Sequence, residues 1–318
     1  MYKKAKPLVL VCETPMHAGA GNDLGIVDLP IQRERHTSFP KIESSSFKGA
    51  VRERLTGLLE NGDTDALNDI NRTFGPPSEA EDKHAGALGF TDARLLFFPI
   101  KSMKGVFAYA TCPMILERFA KDLKQAGVAP EVDFSNFSIP DDTAWVHRNT
   151  AIVINHGATK KSVILEAYAF SAKVKDEVGE FANWLGGSVF SGMGEVFQMR
   201  IMQNLVILPN DDFKDFVNLS TEVITRTKID QASGTVQDGA LFTEEYLPPE
   251  SILYTLVLAA PVFSVKKNDP RKLSGGGEEA EDVLQFFEKA LNEKAKSRLR
   301  IGANATLGKG IVQTTFIK

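Results

Sequence analysis

The order of hydrophobic patterns predicts a mixed α+β fold, in which strands and helices alternate as β-α-β-β-α-β around an antiparallel sheet. Two observations carry this prediction. Short apolar runs rich in β-branched and aromatic residues predict strands, and amphipathic segments between helix-start and helix-stop residues predict helices. The alternation is the ferredoxin-like, or RRM-like, pattern, here with inserted segments. The chain has 318 residues, 43% of them hydrophobic, enough for one large domain or two small ones.

The first elements are a strand, a long loop and a helix. Residues 8–14 form a short apolar run closed by a proline, which predicts a buried strand. Residues 16–43 lack periodicity and are too long for an idle connection, so we expect a functional loop. Ser44 or Ser45 is predicted to cap a helix that ends near Leu59.

The next elements follow a polar stretch. Residues 60–87 are interpreted as an insertion, and residues 88–100 and 105–111 as two strands separated by a turn. Residues 113–127 predict a helix, with proline near its start and glycine past its end. Residues 128–160 are interpreted as a second insertion.

The second half predicts strands and helices in less regular order. The predicted elements are strands at 162–174 and 203–209, a short helix at 211–219 with an aspartate cap, two strands within 240–262 joined by a turn at Pro248 and Pro249, a helix at 274–300 and a last strand at 311–317. Acidic residues begin the helix at 274–300 and basic residues end it, which matches the helix dipole.

Composition excludes several classes of protein. The net charge is −4 and the pI about 5.8, so the average shows no sign of nucleic-acid binding, although a basic patch can lie within it. Two cysteines, Cys12 and Cys112, form no CxxC pair, which argues against a zinc site or a disulfide framework and favours the cytoplasm. No apolar stretch is long enough to span a membrane.

The loop at 16–43 contains the first candidate site. Gly19, Gly21 and Gly25 allow close backbone approach to a ligand, although a flexible surface loop has the same composition. Asp28 lies between Val27 and Leu29, and we expect these apolar neighbours to anchor the loop and hold the carboxylate. A lone aspartate is more often a cap or turn residue than a catalytic one.

The start of the predicted helix is a candidate anion site. Residues 32–54 are locally basic, and Ser45, Ser46 and the first amides of the helix can hold a phosphate, with Lys48 adding a charge and Arg52 one turn further along. The alternative is a solvated amphipathic helix with an ordinary serine cap.

Three further features are weaker alone. Gly302, Gly308, Lys309 and Gly310 could follow a phosphate backbone, although glycine-rich turns are common and the P-loop order is absent. Glu244 and Tyr246 lie at a predicted hairpin, where an exposed tyrosine could stack on a base. Packing of Tyr246 on its own strands is the simpler interpretation. His17 could donate to a phosphate, but a lone histidine is more often structural.

Together these stretches resemble a known family. MHAGAGNDLGIVDLPIQRERHTSFPKIESSSFKGAVR near the N-terminus, EEYLP in the second half and IGANATLGKG near the C-terminus are similar to the RAMP superfamily of CRISPR-associated proteins. Within it, the resemblance is closest to the backbone nuclease subunits, subunit four, of Cmr (type III-B) effector complexes. The resemblance spans nearly the whole chain. The GxVDLPIQRERHTxxP stretch is specific to that subunit, whereas the glycine-rich loop marks only the superfamily.

The resemblance implies a fold and an activity. It implies a single RAMP domain over residues 1–318, with a ferredoxin-like palm, insertions at about 60–87 and 128–160, and a protruding thumb hairpin at about 230–250. Copies of such subunits stack helically along a CRISPR guide RNA, beside other Cmr subunits, and each cleaves the single-stranded target RNA at a regular position in antiviral defence. The cleavage implies a divalent metal, magnesium or manganese.

The resemblance also assigns roles to residues. It makes Asp28 the catalytic residue and metal ligand, and it implies RNA contacts by a further set: His17, Ser45, Ser46, Lys48, Arg52, Glu244, Tyr246, Gly302, Gly308, Lys309 and Gly310. Glu43, Ser44 and Ala303 depart from the family pattern, which has Pro-Gly before the serine pair and a second glycine after Gly302.

Three functions therefore stand side by side. The leading hypothesis is a metal-dependent endoribonuclease that is also a structural subunit of an RNA-guided complex. The alternatives are a non-catalytic RNA-binding scaffold of the same fold and a metabolic α+β enzyme that holds a phosphorylated small molecule. RNA carries its own nucleophile, the 2′-hydroxyl, so one well-placed carboxylate could suffice for cleavage.

Overall fold

A computed structural model describes residues 2–22, 25–60, 62–81, 83–129, 132–134, 137–157, 159–237, 240–263 and 272–317. The strands are β1 (Lys4–Cys12), β2 (Lys41–Ile42), β3 (Leu88–Phe90), β4 (Ala93–Lys101), β5 (Phe107–Thr111), β6 (Thr143–Val146), β7 (Ile154–His156), β8 (Lys160–Leu165), β9 (Tyr168–Val174), β10 (Leu205–Ile207), β11 (Glu222–Arg226), β12 (Phe242–Tyr246), β13 (Ile252–Ala259), β14 (Arg298–Arg300) and β15 (Ile311–Phe316). The helices are α1 (Ser44–Thr56), α2 (Thr64–Phe74), α3 (Pro113–Gln125), α4 (Asp176–Trp184), α5 (Glu195–Asn204), α6 (Asn210–Leu219) and α7 (Ala280–Lys289).

Four strands form the centre of the main sheet, in the order β15-β1-β13-β4, and each pair of neighbours is antiparallel. The chain reaches β4 from β1 through α1, and β15 from β13 through α7. Residues 8–12 of β1 are buried on both faces, because helices cover one side and the rest of the chain covers the other. α7 packs against β1 and β13, and α1 packs against β3 and β14.

The sheet continues beyond β4 as β5-β10-β6-β9-β8-β7. β10 runs parallel to β5, and β6 runs parallel to β9, so this half is mixed. The predicted insertion at 128–160 therefore contributes β6 and β7 to the sheet, and the insertion at 60–87 contains α2. Asp63 caps α2 by accepting from the Ala66 amide.

Several predicted boundaries are wrong. The strand predicted at 88–100 is broken into β3 and β4, and the strand at 162–174 is the hairpin of β8 and β9. The last α-helix, α7, ends at Lys289 and is followed by one π-helical turn at Ala290–Lys294. The residues predicted as its C-terminal end form strand β14 instead. The helix predicted at 211–219 starts at Asn210 after Pro209, without the expected aspartate cap.

The two strands predicted within 240–262 form, as β12 and β13, but they belong to different sheets. β12 pairs with β11, whereas β13 lies between β1 and β4. β11 and β12 form a separate two-stranded antiparallel hairpin, extended by an isolated bridge between Ile229 and Val236. The hairpin therefore starts at Glu222, upstream of the range predicted for a thumb.

Two expectations from composition can be compared with the described structure. Cys12 and Cys112 are both buried and free, and burial raises the pKa of each thiol to about 12. Among the described helices, none has the length and apolar character that a membrane crossing requires.

Candidate functional site

Asp28 is an exposed residue whose carboxylate is held on one side by Thr243 of β12. Its Oδ2 accepts from the Thr243 amide at 2.7 Å and from the Thr243 hydroxyl at 2.8 Å. The Asp28 amide in turn donates to the Thr243 hydroxyl oxygen at 3.0 Å. The hydrogen bonds from the backbone and side chain of Thr243 lower the pKa of Asp28, so the carboxylate is ionised at neutral pH.

The loop around Asp28 is added to the hairpin as a short parallel strand. Leu29 donates to the Thr243 carbonyl at 3.0 Å and accepts from the Glu245 amide at 3.0 Å. Val27 and Leu29 are only half-buried, and Ile26 is 99% exposed. Backbone pairing with β12 holds this loop, and anchoring by the side chains of Val27 and Leu29 stays a prediction.

Glu244 lies behind Asp28 and is 4% exposed. Its carboxylate accepts from the Tyr246 hydroxyl at 2.5 Å, from Arg226 Nε at 2.6 Å and from Asn304 Nδ2 at 2.6 Å. Burial alone would raise the pKa of Glu244, but these three hydrogen bonds outweigh it and lower the pKa. Glu244 is therefore a buried, charged and fully bonded acid that ties the hairpin to the glycine-rich loop.

Tyr246 is buried, so its ring presents no face on which a base could stack in this structure. Its hydroxyl donates to Glu244 and accepts from Arg226 Nη2 at 2.6 Å and Asn304 Nδ2 at 2.8 Å. Lys309 Nζ lies 4.9 Å from the ring centroid, a cation–π distance. The simpler interpretation, in which Tyr246 packs within the protein, agrees with this geometry.

His17 is a buried member of the same network. Its Nδ1 lies 2.7 Å from the Glu245 carbonyl oxygen, which can only accept, so Nδ1 carries the proton. Its Nε2 lies 4.0 Å from Glu244 Oε1, and its ring lies 5.6 Å from that of Tyr246. His17 thus contacts both acids of β12, the backbone carbonyl of Glu245 and the carboxylate of Glu244.

The glycine-rich loop packs against the segment that contains His17. Gly302 has φ +85°, and a Cβ there would lie 2.2 Å from the His17 carbonyl oxygen. Gly310 has φ +75°, and a Cβ there would lie 2.1 Å from the Ile301 carbonyl oxygen. Gly308 has φ +72° but meets nothing within 4 Å. Gly302 and Gly310 therefore permit close packing of the protein's own backbone, and Gly308 faces open space.

On the opposite face of β12, Glu245 makes a second buried cluster. Its carboxylate accepts from Arg33 Nη2 at 2.5 Å, from the Thr221 hydroxyl at 2.8 Å and from the Ile31 amide at 3.0 Å. Arg33 also donates to the carbonyls of Ser38 and Val217. Arg33 is therefore an internal residue, although its sequence neighbours suggested a basic surface.

At the start of α1, the N-cap is Glu43 without a side-chain hydrogen bond, so the predicted serine cap is wrong. The Ser44 amide donates instead to Asp92 Oδ1 at 3.0 Å, which places a carboxylate where an anion was expected. Ser45 and Ser46 are exposed, and Gln32 Nε2 lies 3.4 Å from Ser46 Oγ while donating to the Gly19 carbonyl at 3.1 Å.

Lys48 and Arg52 are engaged away from the candidate site. Lys48 Nζ donates to the Leu88 carbonyl at 2.9 Å, and burial, with the charge of Arg52, lowers the pKa of Lys48. Arg52 Nη2 donates to Asn71 Oδ1 at 3.2 Å. Both side chains stabilise the contacts of α1 with its neighbours in this structure.

The donor set at Asp28 decides what metal it could hold. Across the described ranges, no group of three or more His, Cys, Asp or Glu side chains could form a metal site. Oδ1 of Asp28 accepts no hydrogen bond from another described residue, so it offers one hard oxygen ligand. A magnesium ion is typically bound by one or two carboxylates together with substrate phosphates and water, and Asp28 fits such a shared site.

The structure thus assembles His17, Glu244, Tyr246 and Lys309 in one network. Asp28 lies at the edge of this network, because its partner Thr243 directly precedes Glu244 in β12. Three important partners were not predicted: Thr243, Arg226 and Asn304. Thr243 precedes the EEYLP stretch directly, so its neighbourhood was visible in the sequence. Arg226 carried no local pattern. Asn304 lies within the IGANATLGKG stretch, but that stretch was interpreted through its glycines and Lys309, and nothing in it indicated Glu244 and Tyr246 as partners.

Three comparisons place this geometry among known proteins. The RAMP superfamily model matches residues 9–313. The CRISPR system Cmr endoribonuclease Cmr4 of Pyrococcus furiosus is 38% identical over 315 residues, covering 98% of this chain and 96% of the relative. The crystal structure of oligomeric Cmr4 from Pyrococcus furiosus has a TM-score of 0.69 at 30% identity and covers 98% of both chains. A cryo-EM structure of the type III-B Cmr-beta complex bound to cognate target RNA also has a TM-score of 0.69, covering 99% of this chain and 98% of the other, and at 20% identity it shows the fold alone.

Proposed function

We propose that this chain, which belongs to the RAMP superfamily and within it to the Cmr4 family, is a guide-RNA-binding backbone subunit of a type III-B effector complex. We further propose that it cleaves target RNA. The curated relative is named an endoribonuclease, and the likeness spans nearly the whole of both chains. Membership in this family argues against the third hypothesis, a metabolic enzyme that holds a phosphorylated small molecule.

The fold supports the proposed architecture. The strand order β15-β1-β13-β4, with α1 and α7 as crossover helices, is the order of a ferredoxin-like palm. The separate hairpin of β11 and β12 supports the proposed thumb. The proposed partners are a guide RNA, a single-stranded target RNA, further copies of this chain in a helical stack and other subunits of the Cmr complex. Stacking of copies is supported by the similar Pyrococcus furiosus structure, which is described as oligomeric Cmr4.

Asp28 is the observation that carries the proposed activity. Its carboxylate is exposed, Oδ2 accepts two hydrogen bonds from Thr243 of β12, and no other residue in the described part of the chain donates to Oδ1. A fixed carboxylate that holds a cation is an arrangement that can position a scissile phosphate for in-line attack.

The proposed chemistry uses the substrate's own 2′-hydroxyl as nucleophile. Because its pKa is lowered, Asp28 is a weak general base at neutral pH, and its better role is to orient the strand and hold a cation. Oδ1 of Asp28 would hold a divalent metal, magnesium or manganese, which when bound would offset negative charge developing on the phosphate. His17 and Glu244 would act from behind, by keeping β12 and the Asp28 loop in place.

RNA contacts are proposed for the exposed parts of the predicted set. Ser45 and Ser46, in the first turn of α1, and Gly308, in the glycine-rich loop, are accessible. Lys48 and Arg52 would have to leave Leu88 and Asn71 to reach a phosphate. Glu244 and Tyr246 would support the hairpin that meets the RNA.

The test is target-RNA cleavage by the reconstituted complex, comparing wild type with Asp28→Ala and Asp28→Asn, each with and without divalent metal. Asp28→Asn preserves the shape of the side chain but removes the charge and replaces one acceptor oxygen by an NH2 donor. We expect both variants to lose the regularly spaced products while guide and target RNA stay bound. Products at the wild-type rate would refute the catalytic role.

The alternative is a non-catalytic scaffold of the same fold. It is favoured by the donor set around Asp28, because the described residues provide no group of three or more His, Cys, Asp or Glu side chains that could hold a metal. Unchanged products in both Asp28 variants, with intact assembly, would establish the scaffold and assign cleavage to another subunit.

A further inference from the structure

We propose that Thr243 is the positioning residue for Asp28, and that its hydroxyl selects which carboxylate oxygen faces the RNA. This inference rests on the proposed catalytic role of Asp28. The side chain of Thr243 contacts the Asp28 carboxylate and the Asp28 amide, so we expect its hydroxyl to affect cleavage through the position of Asp28.

The contact between the two residues is reciprocal. The Thr243 hydroxyl donates to Asp28 Oδ2 at 2.8 Å while accepting from the Asp28 amide at 3.0 Å. The Thr243 amide adds a second bond to the same Oδ2 at 2.7 Å. Because both donors meet Oδ2, the carboxylate cannot rotate without breaking two charge-assisted bonds, and Oδ1 is held outward.

The position of Thr243 is itself set by the hairpin. Thr243 lies opposite Thr225 in the register of β11 and β12, and its carbonyl accepts from the Leu29 amide. Its hydroxyl also lies 3.5 Å from the Ile26 carbonyl, but the shorter distance to Oδ2 makes Asp28 the preferred acceptor. The reactive loop is thus attached to a strand that is built into the fold.

Two substitutions separate the hydroxyl from the shape of the side chain. Thr243→Val keeps the β-branched shape and the backbone amide but removes the hydroxyl. Thr243→Ser keeps the hydroxyl and loses the methyl group. If strand preference alone matters, the cleavage rate should be higher for Thr243→Val than for Thr243→Ser. If the hydroxyl positions Asp28, the rate should be higher for Thr243→Ser.

A matched control exists in the same hairpin. Thr225 faces Thr243 across the two strands, is exposed, and makes no side-chain hydrogen bond with any described residue. Thr225→Val therefore applies the same chemical change at the neighbouring position. We expect it to leave the cleavage rate unchanged.

The measurement is the cleavage rate of saturating target RNA by the reconstituted complex carrying each variant, with guide and target retention checked for every complex. We expect Thr243→Val to slow cleavage roughly 10- to 100-fold, because a misplaced reactive group reduces a rate by this order. Thr243→Ser should retain most of the rate, and complexes of all variants should bind both RNAs as wild type does.

The outcomes distinguish the two proposals. Loss of activity in Asp28→Ala together with a wild-type rate in Thr243→Val would overturn the positioning role and leave the catalytic role of Asp28 intact. A wild-type rate in Asp28→Ala would overturn the catalytic role itself. A rate that is lower for Thr243→Ser than for Thr243→Val would show that strand packing, and not the hydroxyl, is what matters at Thr243.

Discussion

Replacing Gly302 by alanine should destabilise the protein far more than the same change at Gly308. Both glycines have positive φ, +85° and +72°, so alanine incurs a left-handed backbone penalty of about 1–2 kcal/mol at either position. At Gly302 the new Cβ would also lie 2.2 Å from the His17 carbonyl oxygen and 2.7 Å from the His17 carbonyl carbon, whereas Gly308 faces open space.

The second contribution can be estimated from what must move. Both atoms in the way belong to the backbone, so relief of the clash requires a shift of the loop or of the His17 segment, at a further ~1–3 kcal/mol. The shift would also stretch the bond in which the Ala303 amide donates to the His17 carbonyl at 2.9 Å, worth about 1 kcal/mol. Gly302→Ala should therefore lower the free energy of unfolding by roughly 3–6 kcal/mol.

The assay is urea unfolding of wild type, Gly302→Ala and Gly308→Ala under identical conditions. Gly308→Ala measures the backbone penalty alone, so the difference between the variants isolates the close approach to His17. Equal losses in the two variants would refute the packing argument. A stable Gly302→Ala variant with weakened guide-RNA binding would show instead that this glycine serves the RNA.

Two further predictions concern the two buried acids of β12. The pKa of Glu244 is lowered in the folded state, so its stabilising contribution is present above its usual value of 4.5 and is lost as the pH falls through the lower folded pKa. In urea unfolding from pH 7 to pH 3, Glu244→Gln should be less stable at pH 7 and should lose stability less steeply on acidification; an unchanged slope would contradict this. Arg33→Lys should reduce the free energy of unfolding by about 1–3 kcal/mol, because lysine cannot supply the several directed donors that reach Glu245 and the nearby carbonyls. Arg35→Lys is the control, since the neighbouring Arg35 is exposed, and a change equal to that of Arg33→Lys would contradict the internal role of Arg33.

Local patterns predicted the elements whose signals lie within the element itself. α3 was found because proline starts it and glycine follows it, and its buried face repeats at helical spacing. β1 was found from its apolar run, although it occupies Lys4–Cys12 and not residues 8–14. Such signals depend on a few neighbouring residues and survive without knowledge of the rest of the chain.

Partners distant in sequence could not be predicted in the same way. Asp28 was singled out, but its anchor, Thr243, is 215 residues away, and nothing near Asp28 indicates which strand it joins. The basic residues near 300 were interpreted as the end of a helix, but they are equally compatible with a strand. In the structure they form β14, which pairs with β15, and Arg298 forms an ion pair with Glu13. Only the tertiary register distinguishes the two.

The opposed burial of Glu244 and Glu245 has a consequence for the length of the hairpin. Adjacent residues of a strand face opposite sides, so a slip of β12 by one position would carry each acid away from its own arginine, Arg226 or Arg33. The base of the hairpin is therefore fixed in register by two separate ion pairs, one on each side of β12. Any engineered change in the length of the hairpin would have to keep Glu222–Arg226 in register with Phe242–Tyr246, because Thr243, the partner of Asp28, lies within that register.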